Sequence, residues 1–341
     1  MKKALITGGA GFIGFHLARR LLADGVAVDV VDDFSRGARD EAIERLAATP
    51  RARVLSADLL DPAALGGLGR DYTHVIHMAA ILGVANVLER PYAVLRDNVA
   101  MLNQVLDFSA RLERLERLVF PSTSEVYAGT LEHFRLPIPT PEDTPLALPD
   151  LSRPRTSYML SKIYGEALCH QARLPYTIVR LHNVYGPRMG LKHVVPELLQ
   201  RAHRAAPGGE LEVFSADHTR TFCYVDDAVE MILRLAEAAG GRDGTFNVGT
   251  STGETTIREL AEIVIRVVGK PLVIRPGPTT PGSPARRCPD ITRAVAVAGC
   301  EPSVALEDGV RRTFAWYCEQ VFDRPDALAP GRTGSSRAGS D

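Results

Sequence analysis

The sequence predicts an α/β fold in which helices cover both faces of a doubly wound, mostly parallel sheet, followed by a smaller α/β domain. Short apolar or β-branched segments alternate with longer helical patterns through the first half of the 341-residue chain. This alternation is typical of the strand–helix–strand units that build a parallel sheet. Segments such as VAVDVVD and HVIHMAA are apolar almost throughout, as expected of strands that helices bury on both sides.

The period of the apolar residues assigns the elements of the first half, since apolar positions repeat every ~3.6 residues in a helix and every two in a strand. In chain order, the predicted elements are strand KALIT, helix FIGFHLARRLLAD, strand VAVDVVD, helix RDEAIERLAA, strand ARVLSAD, strand HVIHMAA, helix AVLRDNVAMLNQVLDFSARL and strand RLVFPS.

Prolines concentrated over residues 130–155 predict a loop that covers a site. The elements predicted after it are helix TSYMLSKIYGEALCHQARL, strand YTIVRL, helix HVVPELLQRAHRAA, strand LEVFS, helix YVDDAVEMILRLAEAA, strand TFNVG, helix TIRELAEIVIRVVG and helix LEDGVRRTFAWYCEQ. Residues 324–341, rich in Gly, Ser, Arg and Pro, predict a disordered tail.

Composition points to a small-molecule partner. The formal net charge is −1 and the pI is about 6.8, without the basic excess that nucleic acid or an anionic membrane surface requires. No apolar run reaches the ~20 residues that cross a bilayer. Glycines interrupt the N-terminal segment MKKALITGGAGFIG, which lacks a signal-peptide cleavage site. We therefore expect a soluble, cytoplasmic protein that binds neither nucleic acid nor membrane.

The cysteines predict neither a disulfide framework nor a metal site. They stand at positions 169, 223, 288, 300 and 318. They form no C-x-x-C pair and no regular spacing, so reduced thiols are expected.

A glycine triad follows the first predicted strand and opens the first helix, as Gly8-x-x-Gly11-x-x-Gly14. Such glycines allow a tight turn and the close approach of a pyrophosphate, which the helix N-terminus stabilises. Asp32 ends the next strand 18 residues after Gly14, where a carboxylate accepts both hydroxyls of an adenosine ribose. The acidic residue favours NAD over NADP because it repels a 2′-phosphate, although Arg36 nearby leaves NADP as the alternative.

These observations predict a Rossmann-type domain over residues 1–184, with some later segments returning to it. Residues 185–323 are expected to form mainly the smaller α/β domain, which would bind the substrate.

Tyr158-x-x-x-Lys162 lies in the helix after the proline-rich loop. Residues four apart share one helix face, so the ammonium is expected to lower the pKa of the phenol from ~10 toward neutrality. Tyr158 would then take a proton from a substrate hydroxyl while hydride passes to NAD. A surface pair is the alternative for this spacing taken alone.

Together, these motifs resemble the extended short-chain dehydrogenase/reductase superfamily of nucleotide-sugar epimerases, dehydratases and decarboxylases. The resemblance covers residues 1 to about 320. It depends on ordered segments that include TGGAGFIG, VVDDFSRG, ADLLD, HMAA, RDNV, STSEVY, SYMLSK, RLHNVYGPRM, HTRTFCYVDDAV and FNVG.

The resemblance implies an NAD site and a catalytic group. Thr123 matches the family's hydroxyl residue at the reacting sugar, Tyr158 its base, and Lys162 the partner of that base. Glu125 would add an acid/base function beside C5. The expected cofactor-binding residues are Gly8, Gly11, Phe12, Ile13, Gly14, Asp32, Asp33, Ser35, Arg36, Asp58, Leu59, Ala79, Ala80, Asn98, Tyr158 and Lys162.

The substrate implied by the resemblance is a nucleotide-diphosphate sugar, with a UDP-linked sugar favoured. Its expected ligands are Ser124, Glu125, Asn183, Arg188, Arg220 and Arg287. Arg220 suits phosphate oxygens, although it could instead tie down its own loop. Ala128 and His182 stand where the family commonly has Gly and Phe, and we expect His182 to be a packed residue.

Within the superfamily, STSEVY together with Pro154-Arg155-x-x-Tyr158, Gly186-Pro187-Arg188-Met189 and Arg287-x-Pro289-Asp290 is similar to UDP-glucuronate decarboxylases. This resemblance implies C4 oxidation, loss of CO₂ and full or partial re-reduction, to UDP-xylose or the UDP-4-keto-pentose. A 4,6-dehydratase, a 4-epimerase and a non-enzymatic NAD-binding protein remain the alternatives.

The resemblance also implies a homodimer in which a helix near residues 95–112 pairs with the Tyr158 helix. The apolar positions Val99, Leu102, Val105 and Leu106 would permit that pairing. The same stripe would serve equally as core against the sheet.

Overall fold

A seven-stranded sheet forms the centre of the protein in a computed structural model that describes residues 1–280 and 282–324. The strands are β1 (Lys3–Thr7), β2 (Ala27–Asp32), β3 (Ala52–Ser56), β4 (His74–His77), β5 (Arg117–Thr123), β6 (Tyr176–Leu181), β7 (Val184–Tyr185), β8 (Glu210–Val213), β9 (Thr219–Arg220), β10 (Cys223–Tyr224), β11 (Gly244–Val248), β12 (Thr255–Thr256), β13 (Val273–Pro276) and β14 (Arg286–Arg287). The central sheet has the order β11-β6-β5-β4-β1-β2-β3. Every neighbouring pair in it is parallel, so the predicted doubly wound fold is confirmed.

Helices connect these strands and cover both faces of the sheet. They are α1 (Phe12–Ala23), α2 (Glu41–Ala47), α3 (Val84–Glu89), α4 (Pro91–Ser109), α5 (Ala128–His133), α6 (Thr156–Gln171), α7 (Val194–Arg204), α8 (Val225–Glu237), α9 (Ile257–Val268), α10 (Thr292–Ala298) and α11 (Leu306–Tyr317). Short 3₁₀ segments at Ser124–Tyr127 and Ala239–Gly241 and a π-turn at Cys318–Phe322 complete the described elements.

Alternate residues of the central strands other than β11 enter two separate apolar cores, which explains why these strands are largely apolar. In β1, Ala4 and Ile6 face the core that contains α1 and α8, whereas Leu5 faces the core that contains α4 and α6. All three side chains are fully buried. Removing this much apolar surface from water on both faces is the main force that holds the sheet together.

The part of the chain after residue 184 contributes to both regions of the molecule. Strand β11 pairs with β6 at the edge of the central sheet. The short sheets β13-β8 and β12-β9-β14 lie apart from it and carry the arginines discussed below. The exact division at residue 184 therefore stays a prediction.

The parallel arrangement gathers the chemically important side chains at one edge. Strands β1, β2, β4 and β5 end at residues 7, 32, 77 and 123, and their carboxyl ends lie together because the strands are parallel. Each is followed by one of the motifs singled out in the sequence. The predicted tail over 324–341 lies, apart from its first residue, outside the described residues. None of the described helices has the length and apolarity to cross a membrane.

Candidate active site

Two joined cavities lie at the carboxyl ends of the strands. The first, of about 460 Å³, follows the glycine motif and the ends of β2 and β4. The second, of about 730 Å³, lies between the central sheet and the later segments. They share the lining residues Arg36, Leu82, Tyr158, Asn183, Gly190, His193 and Arg287. We call them the cofactor-side and substrate-side cavities, and Tyr158 stands at their junction.

The glycine motif forms a cradle that tolerates no side chains. Gly8 has φ +70, and a Cβ there would lie 2.4 Å from the backbone nitrogen of Ala79. A Cβ on Gly14 would lie 2.3 Å from the carbonyl oxygen of Gly8. Gly11 caps α1 without a side-chain hydrogen bond, so the first N–H groups of the helix stay open to an anion. This arrangement fits the diphosphate of a dinucleotide.

Asp32 lies beside this cradle and holds its shape. Its carboxylate accepts hydrogen bonds from the backbone N–H groups of Ala10, at 2.9 Å, and Phe34, at 2.8 Å. Burial nonetheless raises the pKa of the Asp32 carboxyl. The carboxylate lines the cofactor-side cavity, where it suits the ribose of an adenosine.

The expected cofactor residues line the cofactor-side cavity with one exception. Those present are Gly8, Gly11, Phe12, Ile13, Gly14, Asp32, Asp33, Ser35, Arg36, Asp58, Leu59, Ala79, Ala80, Tyr158 and Lys162. The exception is Asn98, whose amide bonds both the N–H and the C=O of Ile81, at 2.7 and 2.9 Å. Asn98 therefore holds the cavity wall from behind.

Tyr158 and Thr123 form the centre of the site. Burial and the negative charge of Glu125 raise the pKa of the Tyr158 phenol, and they outweigh the opposing effects of Arg36 and of the Thr123 hydroxyl. The lowering expected from the Tyr-x-x-x-Lys spacing is thus not produced by the protein alone. Burial dominates because Tyr158 lies at the enclosed junction of the two cavities.

Lys162 lies one helical turn after Tyr158, but its ammonium points toward the end of β5 and not toward the phenol. Its Nζ donates a 2.8 Å hydrogen bond to the carbonyl oxygen of Pro121 and lies 5.9 Å from the centre of the Tyr158 ring. Burial lowers the pKa of Lys162 to about 8. The lysine lines the cofactor-side cavity and is held against the end of β5, as a ribose ligand would be.

The turn after β5 presents a carboxylate to the substrate-side cavity. The Thr123 hydroxyl accepts a 3.2 Å hydrogen bond from the N–H of Glu125, which fixes the start of this turn. Arg287 donates to Glu125 Oε1 at 2.7 Å and to Ser124 Oγ at 3.1 Å. The positive charge of Arg287 holds the pKa of the Glu125 carboxyl below its ordinary value, so the carboxylate stays ionised.

Positive side chains outnumber carboxylates in the substrate-side cavity. Its described cationic lining residues are Arg36, Arg155, Lys192, Arg201, Arg220 and Arg287, and its carboxylates are Glu125 and Glu197. Two of these cations already pair with carboxylates, Arg287 with Glu125 and Arg201 with Glu197. The remaining charges suit a polyanionic ligand.

Three other expected substrate ligands are divided between the two cavities. Asn183 lines both cavities, and its Nδ2 donates to the carbonyl oxygen of Thr221 at 3.0 Å. Arg220 lines the substrate-side cavity and also ties the chain to Ser283 at 2.9 Å. Arg188 lies in the cofactor-side cavity instead, where Asp40 accepts its hydrogen bond at 2.6 Å.

Sequence reasoning missed several residues of the substrate-side cavity. Arg155 lines it and stands close enough to Glu125 to lower the pKa of that carboxyl. Its only signal was its place three residues before Tyr158. Phe214 and His193 also line the cavity, and no sequence pattern marks either of them.

A buried hydrogen-bond network supports the site from behind. Asn247 Oδ1 accepts from the Tyr127 hydroxyl and from His182 Nε2, both at 3.0 Å. Because an amide oxygen only accepts, Nε2 must carry the hydrogen of a neutral imidazole. Burial lowers the pKa of His182 to about 3. The histidine is packed and lines neither cavity.

Known proteins are similar to this chain in sequence. A UDP-N-acetyl-alpha-D-glucosaminuronate decarboxylase from Bacillus cytotoxicus is 33% identical over 93% of this chain and 98% of its own. UDP-glucuronic acid decarboxylase 4 from Arabidopsis thaliana is 32% identical over 94% of this chain and 69% of its own.

Solved structures agree in fold. The UDP-glucuronic acid 4-epimerase from Bacillus cereus, in complex with UDP-glucuronic acid and NAD, matches with a TM-score of 0.79 and 25% identity, covering 93% of this chain and 99% of that one. The UDP-glucose 4-epimerase from Thermotoga maritima matches with the same TM-score and 28% identity, over the same shares. The model of the NAD dependent epimerase/dehydratase family matches residues 4–249. With its glycine cradle, its Tyr158–Lys162 helix and these relatives, the chain belongs to the NAD dependent epimerase/dehydratase family.

Proposed function

We propose that this protein is an NAD-dependent decarboxylase of a UDP-linked uronate, with UDP-glucuronate as the favoured substrate. The observation that carries the proposal is the Glu125–Arg287 pair beside Thr123 and Tyr158. Among these residues, oxidation and re-reduction at C4 need only Thr123 and Tyr158. Chemistry at C5 and C6 needs a further charged group. The cationic substrate-side cavity supports a ligand that carries a sugar carboxylate as well as a diphosphate.

Carbonyl chemistry explains why oxidation at C4 enables decarboxylation. A C4 ketone makes the C6 carboxylate that of a β-keto acid, so the electrons left by departing CO₂ move onto the C4 oxygen as an enolate. Bound NAD would supply the hydride acceptor at C4 and the hydride donor for the return. Gly8, Gly14, Asp32 and Lys162 would hold it.

The protein's own groups then act on protons. Tyr158 takes the proton of the C4 hydroxyl and later returns it, while Thr123 donates a hydrogen bond to the same oxygen. Both groups stabilise the enolate in a preorganised site. Because Arg287 keeps Glu125 ionised, we assign Glu125 to orienting a water that relays a proton from bulk solvent to C5, rather than to donating its own proton.

Product analysis tests the proposal. The protein is incubated with NAD and, separately, with UDP-glucuronate, UDP-N-acetylglucosaminuronate, UDP-glucose, GDP-mannose and dTDP-glucose, and the products are analysed by mass spectrometry. We expect a product lighter by one CO₂, or by CO₂ and two hydrogens for the keto-pentose, from UDP-glucuronate. Loss of water would instead indicate a dehydratase, and an isomer of unchanged mass an epimerase. The N-acetylated uronate is included because a relative is named for it.

We also propose a homodimer through the α4 and α6 surface. The apolar stripe of α4 does not supply this surface, because its residues Leu102, Val105 and Leu106 are buried in the core against the sheet. Tyr92 and Tyr164 support the proposal instead, because both are exposed on these helices. Light scattering after gel filtration should give twice the mass of one chain for the parent protein. The double variant Tyr92→Lys, Tyr164→Lys should give the mass of a single chain. A monomeric parent protein would refute this assembly.

We further propose a cytoplasmic location. It is supported by the state of the cysteines, since all five are free thiols and Cys169, Cys223 and Cys288 are buried. Thiols of this kind persist in reducing compartments. Cell fractionation tests the location, and recovery of the protein outside the cytoplasmic fraction would contradict it.

A further inference from the structure

The loop between β2 and α2 is tightly fixed against the glycine cradle. Phe34 has φ +57, and its N–H donates to Asp32 at 2.8 Å. The backbone N–H and the hydroxyl of Ser35 both donate to Asp33, at 2.9 and 2.7 Å. A Cβ on Gly37 would lie 2.7 Å from that of Ala10. The backbone at residue 36 is therefore held in one place beside the N-terminus of α1.

From this position Arg36 extends along the opening of the site. Its side chain lines both cavities, and its charge acts on Tyr158 and on His193. Arg36 therefore reaches from the ribose end, marked by Asp32, to the junction marked by Tyr158. A dinucleotide that placed its adenosine at Asp32 and its nicotinamide at Tyr158 would have its diphosphate along this path.

Arg36 differs from its neighbours in having no carboxylate partner within residues 1–280 and 282–324. Arg39 pairs with Glu44 at 3.1 Å, and Arg188 pairs with Asp40 at 2.6 Å. The Arg36 side chain remains exposed at the opening of the two cavities. Its guanidinium donors can therefore bind an anion that occupies the site.

We propose that Arg36 is the outer half of a clamp on the cofactor diphosphate. The open N–H groups at the start of α1 hold one side of the diphosphate, and the Arg36 guanidinium binds the other with its planar fork of donors. Asp32 disfavours the 2′-phosphate of NADP as the anion, because its carboxylate occupies the ribose end. The inference depends on NAD binding and not on decarboxylation, so the two can fail separately.

Calorimetric titration of the full chain, freed of bound nucleotide, tests the clamp. Arg36→Gln removes the charge and keeps a polar side chain. The affinities for NAD and for ADP-ribose, which shares the diphosphate, should each fall about tenfold or more, as expected for a lost charge-assisted hydrogen bond. The affinity for UDP should stay within about twofold. Raising the salt concentration should weaken NAD binding less in the variant than in the parent protein.

Arg39→Gln is the matched control, because Arg39 lies in the same loop, is already paired and lines neither cavity. It should bind NAD as the parent protein does. Three results would overturn the clamp: unchanged NAD affinity in Arg36→Gln, a loss of UDP affinity alone, or a loss confined to NADP. The second would place Arg36 at the substrate and the third at a 2′-phosphate.

Discussion

Arg287 donates a 2.7 Å hydrogen bond to Glu125 across 162 positions of sequence. Strand β14 makes this possible, because it pairs in parallel with β9 and sets Arg287 directly beside Arg220. The pairing places two arginines over the turn that follows β5. The carboxylate at the end of a central strand is thus controlled by a segment of the chain outside that sheet.

Replacing Glu125 by Gln should separate the two halves of the proposed reaction. The amide keeps the shape of the side chain but cannot act as a base or hold a water as a carboxylate does. We expect product formation to fall about 10²- to 10⁴-fold, the usual size of a general acid–base contribution. NAD affinity should be unchanged. Quenched-flow assays measure the steps separately: NADH absorbance follows oxidation and re-reduction at C4, and CO₂ release follows decarboxylation.

Glu132→Gln is the control for that experiment. Glu132 lies in the neighbouring helix α5 and pairs with Arg153 at the surface, so its loss should leave the rate unaltered. If Glu125→Gln forms the C5-protonated product at the parental rate, the role assigned to Glu125 is wrong.

Removing Arg287 should move the acid limb of the pH–rate profile. Arg287 is the main cause of the lowered pKa of the Glu125 carboxyl, so in Arg287→Gln that pKa should rise. The ionised form of Glu125 would then be lost at a higher pH as the solution is acidified. We expect the acid limb of kcat/KM for UDP-glucuronate to shift upward by about one pH unit. An acid limb at the parental position would show that Glu125 does not govern it.

Much of this site could be predicted because its signals are local. The glycine spacing, Asp32 at a strand end and the four-residue spacing of Tyr158 and Lys162 each describe one turn or one helix face. The fold then brings them together, since parallel strands share one carboxyl edge. The parallel arrangement of the central sheet followed from apolar runs in the same way.

The remaining features depend on burial and long-range packing, which a sequence pattern does not contain. The pKa of Tyr158 is raised because the cavities enclose it, although its spacing to Lys162 predicted the opposite. Arg188 follows Asn183 closely in sequence but turns toward Asp40. Arg155 lines the substrate-side cavity from the N-cap of α6, and the Pro154-Arg155-x-x-Tyr158 pattern marked its position without showing that it enters the cavity.

Gly14→Ala should disable the cofactor cradle. The added methyl group would lie 2.3 Å from the Gly8 oxygen and 2.8 Å from the Gly9 Cα, so backbone must move. We expect NAD affinity to fall at least about tenfold and the free energy of unfolding to fall by about 1–3 kcal/mol. Titration calorimetry and urea unfolding measure these. Gly67→Ala, where a Cβ meets nothing within 4 Å, should change neither, and parental NAD binding by Gly14→Ala would contradict the cradle.

Breaking the buried ion pair behind the site should destabilise the fold. Arg180 bonds both carboxylate oxygens of Glu166, at 2.9 and 2.7 Å, and donates to the Tyr127 hydroxyl at 2.7 Å. Glu166→Gln leaves the buried guanidinium without its counter-charge. We expect the free energy of unfolding to fall by about 3–5 kcal/mol.

The comparison for Glu166→Gln is Glu132→Gln, which breaks the exposed pair with Arg153. It should cost less than about 1 kcal/mol. Equal urea midpoints for the two variants would mean that the buried pair contributes no more than a surface pair.

The protein should lose stability below about pH 6.5, and His182→Phe should reduce that loss. Burial lowers the pKa of His16 and His74 to about 4 and of His77 and His182 to about 3. The unfolded chain, with histidine pKa values near 6.5, therefore binds protons that the folded chain excludes. The stabilising effect is complete above pH 6.5 and is lost as the pH falls toward 4.

Each such histidine adds up to about 1.4 kcal/mol of loss per pH unit, and Phe at position 182 removes one of them. Urea unfolding between pH 7.5 and 5 should therefore give a flatter pH dependence for His182→Phe than for the parent protein. His133→Phe is the control, because His133 is exposed on α5 and its surroundings change little on unfolding. If His182→Phe and the parent protein lose stability equally between pH 6.5 and 5, His182 is not excluded from protonation in the folded state.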